Sequence, residues 1–413
     1  MRTLYICYFG LREPLVQTQV LPYLRQLGET GIEVSLLTFE PDLRRAWPRA
    51  ELEAWRARLQ ADGIRWLSLA YHKRPSVPAT VYDILAGARL AARVVRREGV
   101  DVIHARSHVP LAMALLAQQW TGCRLVFDIR GLMAEEYADA GIWTEGSPAF
   151  RAIKRIERVG IKRADQVVVL TQRMRDWLVQ QRLKEAGSIE VIPCCVDFSR
   201  FGEAPAVQTG AERFEVVYAG SVTGLYMLEE MGRFFMELQK QQPRALLRIM
   251  TTSSSADATA TLKRIGLDAQ DFWIGAVPPA DVPAYLRRAR LGLSFRKRTF
   301  SQIAASPTKV PEYLAAGLPV VCNAGIGDTD HLLVTEKVGV VIETFDTEAY
   351  CEAARAALAL GNDPETRARA VAAARRHFDL VKVGGAGYRN VYRRIEEDSR
   401  EKAVGGRQYA VKQ

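Results

Sequence analysis

The sequence contains no apolar run approaching the roughly 18–20 residues that a membrane-spanning helix requires, no internal repeat and no low-complexity tract. A chain built on spanning helices or on stacked repeats is therefore not expected. Its six cysteines (Cys7, Cys123, Cys194, Cys195, Cys322, Cys351) form no Cys-x-x-Cys pair and fall mostly in apolar segments. That spacing argues against a zinc ribbon or a redox pair and predicts small core side chains in a reducing compartment. The five histidines are scattered and compose no metal set. The one literal Asp-x-Asp, Asp328-Thr329-Asp330, follows a pair of glycines and reads as a helix cap, so no metal and no cofactor is expected. The opening MRTLYICYFGLRE is too short and too soon charged for a secretory leader and reads as a first buried strand. A cytoplasmic protein is the expectation.

What is present is a 413-residue chain, long enough for two domains, with 48% hydrophobic residues, 25% charged residues and a net charge of +10. Such an excess of base suggests an anionic partner: nucleic acid, an acidic membrane or a phosphate-bearing substrate. Short apolar segments alternate with amphipathic ones, which predicts α/β domains with parallel sheets. Strands are expected at Leu4–Phe9, Ile32–Phe39, Val100–Ala105, Leu125–Asp128, Gln166–Leu170 and Ile189–Pro193, with helices at Thr18–Leu27, Ile84–Glu98 and Leu111–Trp120. The pattern weakens from Asp197 to Arg213 and then restarts. Strands at Phe214–Ala219, Leu246–Met250, Phe272–Ile274, Leu291–Phe295, Val320–Asn323 and Val338–Ile342 make a second sheet, with helices at Leu228–Lys240 and Ala258–Ile265. The expected organisation is a first domain over 1–198, a linker over 199–213, a second domain over 214–380, and a helix within 381–413 that returns to the first domain before a loose tail. Two βα halves imply a cleft where strand carboxyl ends present their loops.

The stretch from Leu291 to Ile342 carries most chemistry. A strand delivers Arg296, Lys297 and Arg298, and the chain continues Ser306-Pro307-Thr308-Lys309-Val310-Pro311-Glu312-Tyr313-Leu314-Ala315-Ala316-Gly317-Leu318-Pro319. Ser306 suits an N-cap and Pro307 the first helical position, with Thr308 as a later cap that eases Pro311. Gly317 and Pro319 stop the helix, giving about ten residues between two strands. Lys309 in the first turn opposes the helix dipole by ~0.3–1 kcal/mol, yet a lysine among free N–H groups suits a diphosphate. Glu312 lies three residues on, so it shares a face with Lys309 and can accept from two ribose hydroxyls. Gly325 and Gly327, with Asp328 behind them, give a second loop that a nucleotide can approach closely.

These motifs resemble the carboxyl half of the family-4 glycosyltransferases, the large retaining GT-B group, and the resemblance spans essentially the whole chain. Glu312 and the following Ala316-Gly317-Leu318-Pro319-Val320-Val321 look like the second glutamate of that family's Glu-x7-Glu motif. The first glutamate falls at Ala304, a departure that leaves its role near the donor sugar without a holder. The Ser-Pro-Thr-Lys form is similar to that of bacterial members acting on polysaccharide or lipid-linked acceptors. The resemblance implies two Rossmann-like domains. It also implies a nucleoside-diphosphate-sugar donor, UDP or GDP, ribose binding by Glu312, and a glycan or lipid-linked acceptor. Lys309 and one of Arg296, Lys297 and Arg298 would stabilise the leaving diphosphate electrostatically.

The amino half fits the same pattern. Tyr8-Phe9-Gly10 and the following Glu13-Pro14-Leu15 resemble the family's first cleft loop, Ile192-Pro193-Cys194-Cys195-Val196-Asp197 the segment before the linker, and Tyr218-Ala219-Gly220-Ser221 a small-residue turn at the donor phosphates. The donor-binding set is therefore Gly10, Gly220, Ser221, Arg296, Lys309, Glu312, Gly325, Gly327 and Asp328. Where many members carry a histidine, this chain has Asp128, followed by Arg130. Asp128 either orients an acceptor hydroxyl, as a catalytic partner to Lys309, or caps its loop against an arginine. His104, Arg106, Arg130 and Glu135 complete an acceptor side. Arg89, Arg93, Arg96 and Arg97 share a helix face, and residues 151–185 carry ten Lys/Arg against four Asp/Glu; such faces suit an anionic membrane surface. Two other readings are a GT-B-fold nucleotide-sugar isomerase of the 2-epimerase type and a non-catalytic scaffold. Nucleic acid is not expected as a partner, since no recognition motif or aromatic–basic interleaving appears.

Overall fold

The computed structural model describes residues 1–43, 46–202 and 213–410, with side chains described as far as residue 401. Most of the expected linker, residues 203–212, and the last three residues of the expected tail lie outside the described residues. The chain divides into two compact units, one comprising residues 1–134, 145–192 and 381–413, the other residues 135–144 and 193–380.

The first unit holds a seven-stranded sheet: β1 (Arg2–Cys7), β2 (Glu33–Pro41), β3 (Ile64–Tyr71), β4 (Val102–Arg106), β5 (Arg124–Asp128), β6 (Gln166–Val169) and β7 (Ile189–Val191). The order is β3-β2-β1-β4-β5-β6-β7, every pair parallel. Both faces are covered by helices, so β4 and β6 are buried end to end and β5 from Leu125 onward, as parallel sheets require. Strand order reverses between β1 and β4, the place where doubly wound folds put their ligand loops. β3 is not among the expected strands, although Ile64 and Trp66 alternate with exposed Arg65 in the manner of a half-buried strand. The expected helix at Thr18–Leu27 is two, Pro14–Gln19 and Leu21–Gly28, meeting at Val20. Pro22 takes the second helix's first turn, where its missing N–H leaves no bond unmade.

The second unit holds six parallel strands: β8 (Glu215–Ala219), β9 (Leu246–Met250), β10 (Phe272–Gly275), β11 (Leu291–Ser294), β12 (Val320–Asn323) and β13 (Gly339–Ile342). Their order is β10-β9-β8-β11-β12-β13, which puts the switch point between β8 and β11. One core layer, with Phe234, Phe235 and Phe295, lies on one side of this sheet. Another, with Tyr313, Leu314 and Phe378, lies on the other. The helix expected to begin at Ser306–Pro307 begins at Lys309 and runs seven residues, Lys309–Ala315, with Thr308 at the cap position but no side-chain capping bond. The reason is visible in Ser306, whose hydroxyl accepts from the Cys194 N–H at 3.1 Å instead of capping the helix. After Pro364–Phe378 a π-helical turn, Leu380–Gly385, precedes the final helix, Ala386–Ala410, which continues through Gly405 and Gly406.

Among the described residues no helix is long and apolar enough to cross a membrane. All six cysteines are free thiols, five of them buried.

Candidate functional site

In the second unit the loops after β8 and β11 leave neighbouring strands at the switch point and are tied to each other. Lys297 N donates to Leu225 O at 2.8 Å and Met227 N to Phe295 O at 3.3 Å. Tyr226 and Arg296 form a lone backbone bridge. This stitching fixes the side chains that line the place. Arg296 donates through Nε to Gln302 Oε1 at 2.6 Å and through Nη1 to the Tyr226 hydroxyl at 3.3 Å, and its backbone N–H meets Asn323 Oδ1 at 2.8 Å. Gln302 is buried, passes its amide N–H to Ser301, and accepts the Gly327 N–H on its carbonyl. One neutral residue therefore holds the basic loop and the glycine loop together.

Lys309 enters this place from the start of its helix. It is 5% exposed, far more buried than a lysine in a surface pair. Its ammonium lies 5.0 Å from the ring centre of Tyr218 and 4.4 Å from that of Tyr226, whose ring also receives Arg296 at 4.9 Å. Burial, with the Arg296 charge beside it, outweighs the attraction of Glu312 and brings the Lys309 pKa down to about 7. Positive charge is thus concentrated in a poorly solvated spot, which a polyanion would relieve.

Gly220 makes the approach possible. Its φ of +136° is one that side-chain-bearing residues rarely adopt, and a methyl there would stand 3.2 Å from Lys309 Cε and 3.3 Å from Nζ. Gly220→Val is expected to leave the unit folded but to displace Lys309 and weaken nucleotide affinity at least tenfold, measured by calorimetry against UDP and GDP. Unchanged affinity would remove Gly220 from the site. Ser221 beside it bonds to Thr223 and lies 3.5 Å from Ser253 Oγ, and its carbonyl accepts from the Tyr218 hydroxyl.

Glu312, one turn along from Lys309, is ion-paired to Arg200 at 3.3 Å. Burial raises its pKa, against the pull of Arg200 and Lys309. Gly325 and Gly327 have φ of +84° and +49°, left-handed conformations that glycine adopts without strain. Asp328 occupies the cap position of Thr329–Thr335 without a side-chain capping bond. The carboxylate that organises the loop is that of Asp330, which accepts the Gly325 N–H at 2.8 Å. That bond braces the glycine loop and does not cap the helix, so the expected capping bond is not made.

In the first unit, Asp128 ends β5 fully buried. The Tyr388 hydroxyl donates to it at 2.8 Å, Arg130 Nη1 at 3.4 Å, while Arg106 Nη1 and His104 Nε2 stand 3.7 Å away. Burial alone would raise the Asp128 pKa, but Arg130, His104 and Arg106 together hold it well below the usual carboxylate range. Burial lowers that of His104, whose Nδ1 bonds to the Tyr392 hydroxyl at 3.0 Å. The structure therefore gathers His104, Arg106, Asp128 and Arg130 into one cluster that the sequence showed only as separate strand ends. Glu135 belongs to the segment 135–144, which groups with the second unit. Gly10 is packed under β2: a methyl there would meet Pro41 Cδ at 2.8 Å and Glu40 Oε2 at 2.9 Å. Glu40, which no sequence motif marks, accepts the Leu11 N–H with both oxygens and shapes this loop. Tyr218, Tyr226, Gln302 and Arg200 likewise stand outside the expected set; an aromatic flanking each strand-end loop was the available signal for the first two.

Two family models match the chain: a glycosyl transferase 4-like domain over residues 16–195 and glycosyl transferases group 1 over residues 206–377. No curated protein sequence matches it. Among solved structures, sucrose-phosphate synthase from Thermosynechococcus elongatus superposes with a TM-score of 0.71 at 15% identity, over 96% of this chain and 100% of that one. A glycosyltransferase from Rickettsia africae gives 0.68 at 14% identity, over 95% and 98%. HepE from Anabaena in complex with UDP-glucose gives 0.65 at 14% identity, over 97% and 99%. At these identities the likeness is one of fold.

Proposed function

Because this chain belongs to the glycosyltransferases that join a glycosyl transferase 4-like domain to a group 1 glycosyl transferase domain in the GT-B fold, we propose that it moves a sugar, with retention, from UDP- or GDP-sugar to a glycan or lipid-linked acceptor in polysaccharide or glycoconjugate synthesis. The observation that carries the donor half of this reading is Lys309, buried against two tyrosine faces beside Gly220 at the switch point of the second sheet. In the proposal the donor diphosphate lies against Lys309, Arg296 and the Gly220–Ser221 turn, the ribose hydroxyls reach Glu312, and the Gly325–Asp328 loop closes around the sugar. As the glycosidic bond to the nucleotide breaks, charge grows on the departing diphosphate. Two fixed cations in a poorly solvated place stabilise that charge more than they stabilise the bound donor, which is how such groups accelerate transfer.

On the acceptor side the buried Asp128 is a positioning group: it holds Arg106 and Arg130 in place rather than touching substrate. The neighbouring outer surface supports the membrane part of the reading, since Arg89, Arg93 and Arg97 are exposed on the helix Ser76–Glu98, and Arg151, Arg155, Arg158 and Lys162 on the helix Pro148–Arg163. Such faces are drawn to an anionic leaflet, where a lipid-linked acceptor would be met.

The test is a thermal-shift screen against UDP, GDP, ADP and CMP, with Glu312→Ala beside the wild type. One nucleoside diphosphate should raise the melting temperature, and the shift should shrink by more than half in the variant. No shift with any nucleotide on folded protein would defeat the proposal.

A further inference from the structure

A second constellation lies in the first unit, away from Asp128. At the carboxyl ends of β2 and β3 a cavity of about 500 Å³ opens, lined in part by Asp42, Ser68, Tyr71, His72, Tyr82 and Asp83. Asp83, on the first turns of the helix Ser76–Glu98, is only 1% exposed. It accepts three hydrogen bonds: from the Tyr8 hydroxyl at 2.7 Å, from the His72 backbone N–H at 3.0 Å, and from His72 Nδ1 at 2.6 Å. With Nδ1 engaged by the carboxylate, Nε2 is the ring nitrogen left for a ligand.

The same unit provides a contrasting pair. His108 and Glu157 also meet at 2.8 Å, but there the imidazole is wholly buried and Glu157 is further tied to Lys154. That pair can only hold helices together. His72 is different: its side chain is 46% exposed at the cavity while its carboxylate partner is sealed beneath it. Its ring meets Tyr82 edge-on at 5.1 Å, and Tyr82 is 61% exposed, an aromatic face open to solvent.

We propose that this cavity binds a saccharide ring, with Tyr82 under the ring's C–H face and His72 Nε2 hydrogen-bonded to a ring hydroxyl. The inference rests on the glycosyltransferase reading and assigns part of the acceptor side to named residues. The chemistry selects the ligand class. A pyranose has an apolar face and a rim of hydroxyls, so it needs an aromatic plate beside fixed hydrogen-bonding groups. Besides the sealed Asp83, the described lining offers the Asp42 carboxylate, a serine, two tyrosines and a histidine, the kind of hydrogen-bonding groups a rim of hydroxyls needs. The volume lies within the ~300–1,000 Å³ of ordinary ligand pockets.

The experiment is saturation-transfer NMR on the full chain with the methyl glycosides of glucose, galactose, mannose and N-acetylglucosamine. At least one should receive saturation, strongest at its ring C–H protons. Tyr82→Ala should weaken that glycoside at least tenfold, Tyr82→Phe should stay within about twofold, and His72→Ala should fall between them. Tyr82 is exposed, so these variants are expected to fold, and their thermal shift with UDP or GDP should equal that of the wild type. Transfer to none of the four glycosides, or transfer that Tyr82→Ala leaves intact, would overturn the proposal. Failure of the glycosyltransferase reading would look different, as loss of the nucleotide shift in the wild type.

Discussion

Lys309→Met should fold, be at least as stable as the wild type at pH 7, and lose most of its response to nucleoside diphosphate. The two halves of this result come from one fact, the burial that brings the Lys309 pKa down to about 7. A lysine with an ordinary pKa near 10.4 that is depressed on folding destabilises the native state while both states are charged, by on the order of 3–5 kcal/mol here. That penalty is fully present below about pH 7 and fades as pH rises toward the unfolded value, because there the unfolded chain binds the extra proton. Wild-type stability should therefore rise between pH 7 and pH 10, and the rise should flatten in Lys309→Met. Urea midpoints at pH 6.5 and pH 9.5 for both proteins measure this. In the presence of a diphosphate the balance inverts: the anion favours the ammonium, so nucleotide binding near pH 8 should take up a proton, seen as a buffer-dependent calorimetric enthalpy. The variant should lose that uptake, and its kcat/KM should fall by about 10²–10³, the scale of removing one preorganised charge from a transition state. Equal nucleotide affinity in wild type and variant would take Lys309 out of the site.

Asp128→Ala should destabilise the protein more than Lys309→Met, Glu312→Ala or Gly220→Val. Its carboxylate lies between Arg106 and Arg130 and receives the Tyr388 hydroxyl, all at a strand end closed to solvent. Removing it leaves two guanidinium groups poorly compensated in a low-dielectric place, a loss of about 3–5 kcal/mol. Asp128→Asn keeps the shape and the Tyr388 bond and should lose less. Because the folded pKa is depressed, the stabilisation is complete above the ordinary aspartate range and is lost as pH falls through and below it. Urea unfolding at pH 7 and pH 3 should show the gap between wild type and Asp128→Ala narrowing in acid. A gap below about 1 kcal/mol at pH 7 would mean the arginines find other partners.

Much of this architecture was readable from the chain, for a physical reason. Strands buried on both faces of a parallel sheet read as near-continuous apolar runs, so the Leu125–Phe127, Val167–Val169 and Val320–Cys322 stretches of β5, β6 and β12 announce themselves. β3 hid because Ser68, Ala70 and Tyr71 dilute its signal toward the edge of the sheet. Within the site, Lys309, Glu312 and the glycines were legible because a charge or a glycine in an apolar context asks for a reason. Gln302 was not, since an amide carries no local signal until another loop is laid beside it, and Tyr218 and Tyr226 offered only the weak signal of an aromatic beside a strand-end loop. The misplaced helix start has the same origin: a serine before a proline reads locally as a cap, while its bond goes to Cys194, 112 residues away.

The ion pair between Arg200 and Glu312 bears on timing. The carboxylate proposed for the ribose is paired with Arg200, which is anchored a second time on the Pro279 carbonyl at 3.1 Å. On the proposed reading, a nucleotide arriving at Glu312 displaces that side chain or shares its partner. Association is then paced by a conformational opening as well as by encounter, so capture slows below the diffusional limit while departure, assisted by the returning arginine, quickens. For an enzyme that must discard a spent nucleoside diphosphate after each transfer, a residue that competes for the vacated carboxylate shortens the wait between turnovers.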